Sequence, residues 1–396
     1  MSTIKTTNIT HASNSGTANL VLGSDGSVTF AAGGAIGTEK GRNLIINGAM
    51  NVAQRGTSAA TTTGIFVVDR FKSAIVGADE ASTTAQVALT SSDTGPWAKG
   101  FRNALQITNG NQTSGAGAGD TQQITYGVEA QDIAQSGWDY TSASSYITLS
   151  FWVKSSVAQN FYGYLRSEDG TKQLYAFETG SLSANTWTKV TKTVPGNSNI
   201  QIDDDTGQGF LICLYAFEGA DNTDSGQGLN SWGAYSSSSR TPDNTSTWWT
   251  TNDSTFAITG VQLEVGQAAT EFEHRTYGDE LLRCCRYYYR ITHDGTTAMG
   301  WAGPVSAYGS STNVATIPLP VPMRIKISAL ETSGTAGDYS IFEAGVTTLS
   351  GVPTLRGSGI VEPKVGAVDC PASVTAGRAG QLRISNSAYL GFTAEF

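Results

Sequence analysis

The sequence has 396 residues, of which 14% are charged against roughly 25% in an ordinary soluble domain, and its formal net charge is −9. No run approaches the ~18 consecutive apolar residues of a membrane-spanning helix, and the acidic balance excludes a basic surface for nucleic acid. The 46 glycines follow no three-residue period, which excludes collagen, and abundant Thr and Val predict a mainly β protein of two or three domains.

Residues 1–42 are predicted to form an N-terminal arm without a core of its own. Two short apolar runs flank the turn Gly23–Gly26, so we expect one hairpin, which is at best marginally stable alone. We therefore predict an arm for oligomerisation or for docking on other chains. The apolar side chains that would make this contact are Leu20, Leu22, Val28 and Phe30.

Residues 43–275 are predicted to form a β-sandwich, with a jelly roll favoured by many short strands and long polar loops. Tyr146–Lys154 alternates apolar and polar positions, as does Thr188–Val194, so each would bury one face. Phe210–Phe217 is apolar on both faces, as expected of a central strand, and Val261–Val265 would close the sandwich.

Residues 276–396 are predicted to form a short helix followed by a small β-sandwich. Gly278 and Asp279 would cap a helix within residues 276–292, whose end resembles the start of a strand. Ile317–Ile327 carries apolar residues at alternate positions and three prolines between them. Prolines at alternate positions remove donors from one edge, so we predict a strand with one unpaired edge.

No signal peptide is visible in Met1–Asn8, so we expect synthesis in a cytoplasm. The sequence has no nucleophile elbow, HExxH motif or Walker lysine, and the interpretation favoured here is a protein that is not an enzyme and needs no cofactor. The cysteines lack metal-site spacing and should be reduced, with a buried thiol at Cys213. Asp203–Asp205 is most simply a solvated turn, with a structural calcium site at Asp203 and Asp205 as the alternative.

Aromatic residues in polar loops are the candidates for carbohydrate contact. Rings can stack on the C–H face of a sugar while neighbouring amides and hydroxyls bind its hydroxyl groups. The competing interpretation is that these rings cover the ends of a sandwich core, which is common for tryptophan. The candidates are Trp232, Tyr235, Trp248 and Trp249 in the stretch 219–254, and Trp301 and Tyr308 in the last domain.

Several ordered blocks resemble phage tail fibres. Those blocks are Asn43–Thr57, Val68–Phe71, Ile258–Gly266, Thr270–Glu273, Glu280–Arg290 and Pro320–Met323. Ala49 and Met50 depart from the usual Asp-Phe of the opening block, and the stretch 330–396 lies outside the resemblance.

The resemblance implies a homotrimeric virion protein of a bacteriophage tail, with a carbohydrate-binding jelly roll. It would attach to tail or adaptor proteins through its N-terminal arm. Residues 276–396 would be the receptor-binding tip, which recognises a bacterial surface glycan or another host receptor. Two alternatives stay open, a purely structural adaptor or head-fibre component and a glycan-degrading tail spike. A glycan-degrading spike would need two carboxylates roughly 5–10 Å apart.

Overall fold

The computed structural model describes residues 8–9, 20–22, 28–30, 41–61, 63–293, 299–357, 364–385 and 388–396. In the N-terminal arm it describes the backbone of three short strands, β1 (Asn8–Ile9), β2 (Leu20–Leu22) and β3 (Val28–Phe30). β2 and β3 pair antiparallel with Leu20 opposite Phe30, which confirms the predicted hairpin, and β1 adds to β2. The side chains of the four predicted docking residues lie outside the described part, so their role stays a prediction.

Among the described residues, the central region forms two facing antiparallel sheets that enclose one hydrophobic core. Sheet A has the strand order β13-β10-β16-β8-β7-β4, and sheet B has the order β15-β12-β11-β14-β9-β6-β5. The bounds are β4 (Ser58–Ala60), β5 (Thr63–Ile65), β6 (Lys72–Val76), β7 (Thr83–Ala88), β8 (Asn103–Thr108), β9 (Thr121–Glu129), β10 (Tyr146–Ser155), β11 (Asn160–Ser167), β12 (Gln173–Ser181), β13 (Thr188–Pro195), β14 (Gln208–Glu218), β15 (Trp232–Ala234) and β16 (Thr255–Val265).

From β9 onward the chain passes repeatedly between the two sheets, as in a jelly roll. The alternation predicted for β10 is confirmed, because Ile147, Leu149, Phe151 and Val153 are all fully buried in the core. Strand β14 is buried on both faces, also as predicted. A five-residue helix, α1 (Ala130–Ala134), follows β9 and was not predicted.

The last region forms a second sandwich with its own core. Sheet C has the order β17-β26-β20, and sheet D has the order β22-β21-β25-β18-β19-β24-β23. The bounds are β17 (Tyr288–Thr292), β18 (Gly300–Ala307), β19 (Asn313–Pro318), β20 (Ala329–Thr332), β21 (Tyr339–Phe342), β22 (Val346–Thr348), β23 (Thr354–Leu355), β24 (Val365–Asp369), β25 (Ala379–Ile384) and β26 (Tyr389–Thr393). Within the described residues, three short 3-10 helices lie at Trp97–Lys99, Ala220–Asn222 and Ala336–Asp338.

The predicted linker helix is present as α2 (Tyr277–Cys285), but its cap lies earlier than predicted. The Thr276 hydroxyl accepts a hydrogen bond from the Asp279 amide at 3.2 Å, so Thr276 is the cap and Gly278 lies within the helix. The strand expected after the helix is β17, at the edge of sheet C.

The prediction of one long strand over Ile317–Ile327 is wrong. β19 ends at Pro318, so only the first two residues of the predicted range lie in a strand. β19 pairs with β24 through Pro318 and with β18 over Asn313–Ala315. The chain after Pro318 bends and places Met323 and Ile327 in the core of the second sandwich. The prolines therefore end the strand, because a proline interrupts the hydrogen bonding of a central strand.

Candidate functional site

The outer face of sheet B carries a cleft of about 320 Å³. Strand β9 shows how the sequence builds it, since Ile124 and Tyr126 point into the sandwich core while Gln123 and Thr125 line the cleft. A strand with one face on the core must present alternate residues on the other face. The outward set is polar at the cleft, whereas the inward set is apolar.

One row of residues crosses the cleft from strand to strand. Lys72 on β6 lies opposite Thr125 on β9, Thr125 opposite Cys213 on β14, and Cys213 opposite Tyr164 on β11. Three strand spacings of about 4.8 Å give the row a length of roughly 14 Å. Lys72 and Tyr164 line the cleft at the two ends of this row.

The loop between β14 and β16 forms one wall with Tyr235 and Arg240. The guanidinium carbon of Arg166 lies 4.3 Å from the centre of the Tyr235 ring, and its Nε donates to Glu168 at 2.6 Å. Arg240 Nη1 donates to the Tyr215 hydroxyl at 3.1 Å. Both cations are therefore fixed beside an aromatic ring at the mouth of the cleft.

The opposite wall is built where the two sandwiches meet. Phe396 lies over Gly127, where an added Cβ would be 2.7 Å from Phe396 Cδ2. Beneath it, Arg70 donates to Glu395 and to the Gly127 carbonyl oxygen, both at 2.6 Å. The Arg70 guanidinium also stacks on the ring of Tyr287 at 3.3 Å. Part of the cleft thus depends on how the second sandwich packs on the first.

A second group of charged residues lies where the two sandwiches meet. The buried carboxylate of Glu129 accepts two hydrogen bonds from Arg286 at 2.7 Å each and one from the Tyr287 hydroxyl at 2.5 Å. Burial alone would raise the pKa of Glu129, but the hydrogen bonds from Arg286 and Tyr287 outweigh it and lower this pKa. Glu129 is therefore held as a carboxylate at neutral pH.

Glu218, at the end of β14, has the opposite environment. Burial raises its pKa to about 7, and the hydrogen bond from Thr241 at 2.7 Å only partly compensates. Its Oε1 is buried without a hydrogen-bond partner. The side chain is thus partly protonated at neutral pH.

Trp248 and Trp249 do not line the cleft, and their position does not fit a sugar-contacting role. Both are fully buried in the central core, and their indole nitrogens donate to the carbonyl oxygens of Thr255 and Gly115. No ring face is left for a sugar. These tryptophans close the end of the sandwich, which was the competing interpretation.

The other two candidates of the 219–254 stretch, Trp232 and Tyr235, lie in different environments. Trp232 packs on Tyr175 and Phe210 at the edge of the core, and its Nε1 donates to the Pro195 carbonyl oxygen at 2.7 Å. Tyr235, three residues later, lines the cleft. The short strand β15 accounts for this difference, since it anchors Trp232 on the sheet and lets the chain then turn over the outer face.

Trp301 and Tyr308 are exposed on the second sandwich, at 58% and 71%. The Trp301 ring lies 5.8 Å from that of Phe342 at a steep angle, and Arg383 lies 5.0 Å from the Trp301 ring. This surface is distinct from the cleft. A role for Trp301 and Tyr308 in sugar contact stays a prediction.

The remaining candidate sites concern metals and cysteines. Asp205 accepts a hydrogen bond from the Gly207 amide, as in a solvated turn, and the Asp203 amide donates to Asp169. Within the described ranges, no group of three or more His, Cys, Asp or Glu side chains is placed to hold a metal ion. All four cysteines are free and buried, and burial raises the pKa of Cys213 to about 12. In the same described ranges, no helix is long and apolar enough to span a membrane.

Sequence reasoning missed most of the cleft residues. Three of them occupy outward-facing strand positions, where a polar residue ordinarily indicates nothing more than exposure to solvent. They are Arg166, Gln123 and Gln208. Arg240 lies in the stretch 219–254, but only aromatic residues were selected there. A search for cations on the outward positions of β11, and in the loop that covers β14, would have found Arg166 and Arg240.

Comparison with solved structures finds distant similarities. The enzymatically active domain of tailspike protein 4 from bacteriophage CBA120 shares 10% identity, with 57% of this chain and 22% of that chain covered and a TM-score of 0.28. A putative sugar-binding protein from Bacteroides thetaiotaomicron shares 12% identity over 57% of this chain and 100% of its own, with a TM-score of 0.29. A CBM22 tandem domain from Paenibacillus barcinonensis shares 11% identity over 91% and 100%, with a TM-score of 0.26.

Comparison with family models and with curated proteins gives no match. The chain spans about a fifth of the tailspike chain with which it aligns. The structural similarities are too distant to assign this chain to a family or to transfer a ligand to it.

Proposed function

We propose that this protein binds a glycan in the cleft on sheet B and does not cleave it. The observation that carries the proposal is the lining of this cleft, which combines the ring of Tyr235 with the amides of Gln123 and Gln208 and the hydroxyl of Thr125. Glycan sites need an aromatic surface for the C–H face of a sugar and fixed polar groups for its hydroxyls.

The wider role that we propose is host-surface recognition by a phage tail fibre. This part rests on the resemblance of the ordered blocks between Asn43 and Met323 to such fibres. In a homotrimer, three equivalent clefts would raise avidity without any new contact, which suits weak single glycan sites. The exposed surface around Trp301 would be a second contact region on the same particle.

The test is binding of the purified full-length chain to intact bacteria and to a glycan array. The full chain is required because Phe396 lines the cleft and Glu395 pairs with Arg70. We expect Tyr235→Ala to reduce binding about tenfold or more, since stacking on a ring is worth ~1–2 kcal/mol. The matched control is Tyr277→Ala, which removes an exposed tyrosine, at 59%, from helix α2.

Four outcomes are decisive. Equal binding by Tyr235→Ala and the control would refute the cleft as the site, and loss of binding in Trp301→Ala alone would move it to the second sandwich. Reducing ends released from a bound polysaccharide would replace adhesion by the tail-spike alternative. A clean oligomer that binds no cell and no glycan would favour the purely structural role.

A further inference from the structure

The cleft on sheet B is cationic in a protein whose net charge is −9. Four cationic side chains line it, and none of the lining residues that the structure describes is Asp or Glu. The four are Arg70, Lys72, Arg166 and Arg240. A concave surface with one sign of charge attracts ligands of the opposite sign.

Two of these cations are paired within the protein. Arg70 contacts Glu395 at 2.6 Å, and Arg166 contacts Glu168 at 2.6 Å. Glu168 also contacts Lys172 at 2.6 Å, so one carboxylate is shared between two cations. Some positive charge therefore remains at the Arg166 end of the cleft.

The other two cations, Lys72 and Arg240, have no carboxylate within 4.0 Å among the described residues. Arg240 is held by the Tyr215 hydroxyl through Nη1, and its Nε is buried without an acceptor. The nearby Glu218 bonds to Thr241, and the positive charge of Arg240 lowers its pKa but does not offset burial, which raises that pKa to about 7. Because its Nε is buried, the half-buried guanidinium of Arg240 would meet the oxygens of a carboxylate or phosphate through its terminal nitrogens.

We propose that the ligand of this cleft is an anionic glycan, whose carboxylate or phosphate groups are bound by Arg240 and Lys72. The inference rests on the glycan binding proposed above and adds the chemical class of the sugar. Lys72 stands on β6 and the Tyr215 that holds Arg240 stands on β14, and these two strands are two spacings, or roughly 10 Å, apart in sheet B. Cations anchored on different strands of one cleft suit a polymer with a repeated negative charge.

The experiment compares matched pairs on a glycan array: uronic-acid oligosaccharides, the same oligosaccharides after carboxyl reduction, and phosphate-bearing oligosaccharides with their dephosphorylated forms. Titration calorimetry then follows the best binder at 50 and 500 mM NaCl. We expect binding to the charged member of a pair, with the two charged arms distinguishing carboxylate from phosphate. Affinity should fall with salt, because added ions screen partly exposed charges.

Arg240→Gln should weaken binding of the charged member about tenfold, and Lys72→Gln provides a second variant at an independent position. The matched control is Lys189→Gln, which removes the same charge from the exposed face of β13 on sheet A. Preference for the neutral members, or equal affinities for all three variants, would overturn the anionic inference while glycan binding stands. Absence of binding to every glycan would instead refute the proposed function.

Discussion

The Glu129–Arg286 pair should be a main determinant of how firmly the second sandwich is held on the first. The Glu129 side chain is fully buried, while that of Arg286 is 31% exposed. Arg286→Met would leave a buried carboxylate with hydrogen bonds from Tyr287 and Gln131 only. Removing one partner of a buried pair costs ~3–5 kcal/mol, and the partial exposure of Arg286 places the expected loss at the low end, about 3 kcal/mol.

The assay is equilibrium urea unfolding followed by tryptophan fluorescence, with the free energy of unfolding taken by linear extrapolation. The control is Arg283→Met, which removes an exposed arginine from the last turn of α2, just before Arg286, and should change stability by less than ~0.5 kcal/mol. The double variant Arg286→Met/Glu129→Gln removes the uncompensated charge, so it should be more stable than Arg286→Met alone by about 1–2 kcal/mol.

Two results would refute this reasoning. If Arg286→Met lost no more stability than the control, the pair would not hold the junction. If the double variant lost the sum of the two single losses, the two side chains would act independently, in conflict with their paired hydrogen bonds at 2.7 Å.

Three further predictions concern residues that are buried or tightly packed. Because Glu218 is neutral in the folded state below its pKa of about 7 but ionises near 4.5 when unfolded, its own contribution to stability should fall by up to ~3 kcal/mol between pH 4.5 and 7. The difference in stability between the wild type and Glu218→Gln should therefore change by that amount across a pH series of urea curves. Trp248→Ala should cost ~3–5 kcal/mol in the same assay, whereas Trp301→Ala should cost below ~1 kcal/mol, because the first ring is fully buried and the second is 58% exposed. Gly127→Ala should displace Phe396 and lower glycan affinity in calorimetry, and unchanged affinity would mean that Phe396 does not shape the site.

The strands of the central sandwich were the most predictable part of the structure. In β10 each inward residue is apolar, so period-2 alternation locates the strand and its buried face. The antiparallel pairing of β2 with β3 was predictable for a similar reason, since turn residues separate two short apolar runs in the sequence. The same alternation gave a wrong strand prediction at Ile317–Ile327, because the apolar residues there are buried in a bent segment.

The candidate site was predicted only in part, because a ring in a polar loop gives the same sequence signal whether it is buried or exposed. Trp248 and Trp232 were expected to resemble Tyr235, and only Tyr235 lines the cleft. The residue type indicates only that an aromatic ring will pack against something. Whether the ring packs in the core or lines the cleft depends on the path of its loop in the folded structure.

The sequence by itself determined the mainly β class, the paired arm and most strands of the central sandwich, since these follow from local alternation and turn chemistry. Tertiary structure decided the cleft, because its lining comes from strands and loops as far apart in the chain as Lys72, Arg240 and Phe396. It also decided which cations of the cleft are paired with a carboxylate, since Arg70 contacts Glu395 only when the second sandwich packs on the first. Local patterns set which face of a strand is buried, whereas long-range packing sets what stands opposite it.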